Sequence, residues 1–177
     1  MSDIAEYGKA LFLLTEEEGS TERVAMDVRC LRGIFKDNPD YPKLLDTPAL
    51  SKAERVKLVD ASLSSLDTAL VNTVKILAEG HLSYLTVKMA DAYLALYDST
   101  RGIERVEAVT ARPLDKAQTE RLTARLAAMT GKRIVIKNTV DPSILGGMKL
   151  RYSGTQLDGS VRTRLDALEG SLSGIVV

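Results

Sequence analysis

The sequence is poor in the residue types on which most catalytic and metal sites depend. It has no tryptophan, one cysteine (Cys30) and one histidine (His81) in 177 residues. A single cysteine cannot form an internal disulfide, which fits a reducing cytoplasm. No His/Cys metal cluster can be built from one residue of each type, and a Ser-His-Asp triad would depend on His81. His81 follows Gly80 between two predicted helices, so we interpret it as a helix-end or solvent-exposed residue. Cys30 lies within a predicted helix and is interpreted as a small, buried or half-buried residue.

An excess of one charge and long apolar runs are also missing. Lys plus Arg and Asp plus Glu both number 24, whereas nucleic-acid-binding proteins usually carry a basic excess that neutralises phosphate. The N-terminus is acidic where a signal peptide is basic, and the apolar run that follows, Ala10 to Leu14, is far shorter than the roughly 20 residues of a membrane span. We therefore expect no nucleic-acid partner, and membrane association only through other proteins.

Glycine-rich loops that cradle phosphate are absent as well. Gly131-Lys132 is followed by Arg133 instead of a hydroxyl residue, and it reads as a helix end. Gly146-Gly147 precedes a predicted strand, which suggests a bulge or a close backbone approach. The carboxylates lie mostly on predicted solvated faces. The sequence therefore predicts no cofactor, no metal site and no catalytic apparatus.

The first hundred residues have the periodicity of helices. Apolar residues recur at intervals of three and four, as in Ile4, Tyr7, Leu11 and Leu14, and Phe12 with Leu13 widens that stripe. A short polar residue marks each of four predicted helix starts, and in most cases an acid follows three positions later. These residues are Asp3, Ser20, Ser51 and Ser64. A short helical piece is expected from Lys43 to Asp46, and Gly80 should end the fifth helix. We predict six helices, two of them short, packed as a bundle.

The pattern changes near Arg101-Gly102. Strands are predicted at 105–111, 133–140 and 148–152, with a helix from Asp115 to Gly131 between the first two and a final helix carrying Val161 to Leu172. Ser153-Gly154 is expected to be a turn. The predicted fold is therefore mainly α, with a six-helix bundle at residues 1–103 followed by a small α/β domain at residues 104–177.

Two segments resemble one known family. Tyr7-Gly8-Lys9-Ala10-Leu11-Phe12 is similar to the Tyr-Ala-Lys-Ala-Leu-Phe signature of the delta subunits of bacterial F-type ATP synthases and of their mitochondrial relative, the oligomycin-sensitivity-conferring protein. Residues 140–147 and 157–165 are similar to that family's Asp-Pro-Ser-Leu-Ile-Gly-Gly and Asp-Gly-Ser-Val-Arg patterns. One departure is Glu79-Gly80-His81-Leu82, where the family often has Glu-Asn-Gly-Arg-Leu.

The resemblance implies a non-catalytic stator subunit that links the catalytic head to the peripheral stalk and resists rotor torque during ATP synthesis. In the family, the first and fifth helices of the N-terminal bundle form a groove for the amphipathic N-terminal helix of one alpha subunit. The matching positions here are Tyr7, Ala10, Leu11, Leu14, Leu70, Thr73, Val74 and Leu77. The alternative is that these residues only fill the bundle core.

The resemblance also implies a role for the C-terminal domain. In the family it contacts the b subunits of the peripheral stalk at the cytoplasmic face of the bacterial plasma membrane. Six signature residues are expected to shape this domain and not to touch a partner, and Asp158 among them is expected to cap the last helix. They are Gly146, Gly147, Asp158, Gly159, Ser160 and Arg162.

Two other functions are compatible with parts of the sequence. An RNA-associated helical protein could use a basic patch formed by Lys149, Arg151, Arg162 and Arg164, although the neutral net charge and the lack of aromatic residues between basic ones argue against it. A small enzyme with an unrecognised site would need a deep polar pocket with convergent ionisable groups.

Overall fold

The structure is a computed structural model that describes residues 4–144, 146–152 and 155–158. Contacts divide the chain into two compact units, with the division between Thr100 and Arg101. Within the described residues the fold is mainly helical, and it includes one four-stranded sheet in the C-terminal unit.

Helices make up the N-terminal unit. Their bounds are α1 Ile4–Glu17, α2 Thr21–Asp37, α3 Asp40–Leu45, α4 Lys52–Leu63, α5 Thr68–Glu79, a 3-10 turn at Ser83–Leu85, and α6 Thr86–Thr100. The short helix α3 begins earlier than the sequence predicted and includes Pro42 in its first turn. Proline is tolerated there because the N–H groups of a first turn have no acceptor within the helix.

Local side chains determine where these helices begin. Ser51 forms the predicted capping box of α4, in which its hydroxyl accepts from the Glu54 N–H and its own N–H donates to the Glu54 carboxylate. The predicted start of α5 at Ser64 is wrong, because Ser64 ends α4 and the Asp67 carboxylate caps α5. Ser20 precedes α2 without a side-chain cap bond; its ψ is 0° instead of extended. The predicted cap at Asp3 lies outside the described residues.

The core of this unit lies where α1 and α2 pack on α6. The Phe12 and Tyr93 rings meet edge to face at 5.7 Å. Beside them, the Tyr93 hydroxyl lies 2.9 Å from the Thr15 hydroxyl and donates to the Thr21 carbonyl at 3.3 Å. Burial raises the pKa of Tyr93, so this hydroxyl stays protonated. These polar pairings satisfy buried groups that would otherwise oppose folding.

The C-terminal unit packs one helix on a sheet. Its elements are β1 Ile103–Thr110, α7 Lys116–Thr130, β2 Arg133–Val140, β3 Met148–Tyr152 and β4 Thr155–Asp158. The strand order is β2-β1-β3-β4; β1 and β2 are parallel and the other pairs antiparallel. Leu126 of α7 packs against a cluster from three strands: Val106, Ala108, Ile134 and Leu150.

Sequence signals for this unit were mostly informative. The predicted capping box of Asp115 and Gln118 opens α7, and Gly131 closes it in the left-handed conformation with φ 67°. Strand β4 was not predicted, because four residues at a sheet edge carry too little alternation to be recognised. The predicted Ser153-Gly154 turn and the helix from Val161 to Leu172 lie outside the described residues.

Candidate partner-binding surface

Burial separates the eight residues of the predicted groove into two sets. Helices α1 and α5 are in contact, as a shared groove requires. Leu11 is 3% exposed, and Leu70, Val74 and Leu77 are fully buried. These four side chains belong to the core and offer no surface to a guest helix in this structure. Packing of α1 and α5 on their neighbours covers this face, which favours the alternative that these four residues fill the bundle core. Their role as direct partner contacts stays a prediction.

The other four predicted residues keep accessible surface. Leu14 is 42% exposed, Ala10 is exposed, and Tyr7 and Thr73 are half-buried. Each step along a helix turns the side chain by about 100°, so these positions lie beside the buried stripe and not within it. We name these four accessible positions on α1 and α5 the rim.

Two exposed apolar residues extend this rim and were not among the predicted contacts. Ile76 on α5 is 54% exposed, and Leu13 on α1 is 52% exposed. Ile76 is three residues after Thr73 and therefore on the same flank of α5. Lys75 and Glu79 are bound in ion pairs by α4 residues, which places α4 on the opposite flank. The signal for Ile76 in the sequence is an apolar residue outside the core periodicity of α5.

The rim is accordingly defined as Tyr7, Ala10, Leu13 and Leu14 on α1 with Thr73 and Ile76 on α5. Its side chains are apolar except for the hydroxyls of Tyr7 and Thr73, and the Thr73 hydroxyl already donates to the Ala69 carbonyl at 2.9 Å. A surface with this chemistry gains free energy when another apolar surface covers it. Such a surface suits the apolar face of an amphipathic helix.

In the C-terminal unit, the signature glycines lie in the loop before β3. Gly147 has φ 78°, a backbone conformation that residues other than glycine rarely adopt. Its role in shaping the domain stays a prediction. Earlier in the loop, the Asp141 carboxylate accepts from the Ser143 N–H at 2.9 Å, and hydrogen bonds from Ser143 lower the pKa of Asp141. Gly146 has φ 155°.

The remaining signature residues are only partly described. Asp158 ends β4 and is paired with Lys149 in the sheet. Its side chain, together with Gly159, Ser160 and Arg162, lies outside the described residues, so the predicted helix cap stays a prediction.

The single histidine and the single cysteine of the sequence are both exposed. His81 has φ 56° at the end of α5, and its Nδ1 lies 3.1 Å from the Asp46 carbonyl oxygen, which agrees with a helix-end role. Cys30 is exposed, so the expectation of a buried or half-buried cysteine is wrong. Its position on α2 turns away from the stripe that packs on α6.

Within the described residues, His, Cys, Asp and Glu form no group of three or more able to hold a metal ion. In the same ranges, no helix has the length and apolar character needed to cross a membrane.

Comparison with known proteins decides the family. A family model described as ATP synthase delta (OSCP) subunit matches residues 4–172. The chain belongs to this family. Among its relatives, an ATP synthase subunit delta from Azorhizobium caulinodans is 34% identical over 171 residues, covering 96% of this chain and 92% of the relative. Another, from Leuconostoc citreum, is 31% identical over 176 residues and covers 98% of both chains.

A solved structure supports the same conclusion. A chain in the mitochondrial ATP synthase hexamer of Toxoplasma gondii matches with a TM-score of 0.74 and 26% identity, covering 97% of this chain and 98% of that one. The protein is thus a non-catalytic component of the F-type ATP synthase stator, in which it links the head to the peripheral stalk and resists rotor torque. This identity replaces the RNA-binding and small-enzyme alternatives.

Proposed function

We propose that the rim on α1 and α5 binds the amphipathic N-terminal helix of one alpha subunit of the catalytic head. The C-terminal domain, residues 104–177, binds the b subunits of the peripheral stalk. The N-terminal domain, residues 1–103, is a six-helix bundle that presents the rim. The protein is held by these partners at the cytoplasmic face of a bacterial plasma membrane.

The observation that carries the first part is the exposed apolar surface on two helices in contact. Leu13, Leu14 and Ile76 each keep between 42% and 54% of their surface exposed. Complete burial of a Leu or Ile side chain contributes about 1.5–3 kcal/mol, so covering the exposed half contributes about 1 kcal/mol for each residue. Surface ion pairs contribute roughly 0–1 kcal/mol each and are screened by salt. An apolar guest helix therefore suits this surface better than a charged one.

The strength required of a stator sets the scale of the interface. Nanomolar affinity corresponds to about 12 kcal/mol of binding free energy. Leu13, Leu14 and Ile76 supply part of this, and the guest helix must supply further buried area from its own apolar face. Small Ala10 and half-buried Thr73 allow that helix to approach closely, because neither side chain projects far from its helix.

Calorimetric titration of the full chain with a synthetic alpha-subunit N-terminal peptide tests this proposal. We expect Leu14→Asp and Ile76→Asp each to weaken binding at least about tenfold, since each places a carboxylate in an apolar contact. Met26→Asp is the matched control: Met26 is 59% exposed on α2, so the same chemical change should leave the affinity unaltered. Substituting the buried Leu77 would disrupt the core and test stability instead of binding.

Equal peptide affinity of wild type, Leu14→Asp and Ile76→Asp would refute the rim as the site. Binding of the b subunits by the same variants provides the second readout. We expect it to be unchanged, because these substitutions lie in the N-terminal unit. Loss of b binding together with peptide binding would refute the division of roles between the two domains.

A further inference from the structure

The outer edge of β2 is a long and regular sheet edge. Among the described residues, β2 is the terminal strand in the order β2-β1-β3-β4, and its eight residues, Arg133–Val140, pair with β1 in continuous register. They include no proline. The opposite edge is formed by β4, which has only four residues. A regular, uninterrupted edge of this length can accept another strand.

The direction of the β2 backbone groups follows from two hydrogen bonds. The Arg133 N–H donates to the Gly102 carbonyl and the Asp141 N–H donates to the Thr110 carbonyl, each at 2.9 Å. Because a strand alternates with a period of two, odd-numbered residues direct their N–H and C=O groups toward β1. The even-numbered residues direct theirs outward, and they are Ile134, Ile136, Asn138 and Val140.

Side chains on this edge specify the charge of an incoming strand. On the face away from α7, Arg133, Val135 and Lys137 alternate as cation, apolar residue and cation, and all three are exposed. An added strand places its own alternating side chains opposite these, where opposite charges attract and like charges repel. A second copy of β2 is disfavoured as the occupant, because β2 contains two cations and no acid.

We propose that the β2 edge binds an extended segment of another protein as a fifth strand. In this segment, acidic and apolar residues alternate, so that two carboxylates lie opposite Arg133 and Lys137 and an apolar residue lies opposite Val135. The outward N–H and C=O groups of β2 supply the main-chain hydrogen bonds. This interaction is additional to the proposed rim on α1 and α5 and does not depend on it.

Amide hydrogen exchange of the full chain, followed by NMR, tests the proposal with a synthetic probe. The probe is a peptide about eight residues long that alternates Glu with Val, and the control peptide alternates Lys with Val. At a peptide concentration ten times the dissociation constant, we expect the outward amides of Ile136 and Val140 to exchange about tenfold more slowly. The Lys-Val peptide should leave them unchanged. Raised salt should weaken binding of the acidic peptide.

Variants separate edge recognition from general charge attraction. Arg133→Glu with Lys137→Glu should reverse the preference toward the Lys-Val peptide. Arg121→Glu with Arg125→Glu, at exposed positions of α7, makes the same charge change elsewhere and should keep the preference for the acidic peptide. The proposal is overturned if the acidic peptide fails to protect the outward amides of wild-type β2, or if both peptides protect them equally. This wild-type result stands even if a variant fails to fold.

Discussion

Replacing Gly8 with alanine is expected to destabilise the N-terminal unit, although alanine favours helices. Gly8 lies in α1 where it packs on α6. A Cβ atom there would lie 2.6 Å from the Met89 carbonyl oxygen, 2.9 Å from the Ala92 Cβ and 3.0 Å from the Tyr93 nitrogen. Two of these atoms belong to the α6 backbone, so no side-chain rotation relieves the contact. The helices would have to separate, which loosens the contacts of Phe12 and Tyr93 beside them.

The expected change in the free energy of unfolding of Gly8→Ala is the difference between two effects of opposite sign. Overpacking costs typically about 1–3 kcal/mol, and a contact with fixed backbone falls at the upper end of that range. Alanine regains about 1 kcal/mol of helix propensity relative to glycine. We expect a net loss of about 1–2 kcal/mol, which lowers the melting temperature of a domain of roughly 100 residues by about 5–15 °C.

Gly33→Ala is the matched control for this prediction. Gly33 also lies within a helix, but a Cβ there meets no atom within 4 Å. This variant should be about 0.5–1 kcal/mol more stable than wild type. Thermal unfolding of the full chain, followed by far-UV circular dichroism, measures both. The reasoning is refuted if Gly8→Ala melts at or above the wild-type temperature. The family signature has alanine at the position of Gly8. A melting temperature at or above that of wild type would therefore show that α1 and α6 of this chain also tolerate a Cβ at this position.

Two further predictions concern α4. Arg55 is only 5% exposed and donates to the carbonyls of Leu50 at 2.7 Å and Ala78 at 3.4 Å. Arg55→Met should therefore lower the free energy of unfolding, measured by denaturant titration, by about 1.5–3 kcal/mol. An unchanged denaturation midpoint would contradict this prediction. Hydrogen bonds from the Ser51 side chain and backbone lower the pKa of Glu54 below its ordinary value of 4.5. The stabilisation that these bonds provide is therefore complete at pH values above the unfolded-state pKa, and it is lost as the pH falls through the lower folded-state pKa. An NMR titration should find the Glu54 pKa closer to its ordinary value in Ser51→Ala, and the same pKa in both proteins would rule out the capping box as its cause.

Local signals in the sequence determined most of the elements. The capping boxes at Ser51 and Asp115 depend on residues three positions apart, and the αL end of α7 depends on one glycine, so a linear reading finds all three. The start of α5 was misplaced because Ser64 and Asp67 are both good caps. The choice follows from packing, since the Asp67 N–H donates to the Asp27 carboxylate of α2 at 2.9 Å.

The family, and with it the stator function, was recognisable from the sequence, because the C-terminal signature series keeps the family's order, spacing and position along the chain; the family model matches residues 4–172. Only the tertiary structure decided which apolar residues serve a partner. Leu14 and Leu77 carry the same side chain and both fit a helical stripe, yet Leu14 is 42% exposed and Leu77 is fully buried. Periodicity states which residues share a face of a helix. How much of that face is covered depends on neighbouring helices that are distant in the chain, and that coverage separates a core residue from a binding residue.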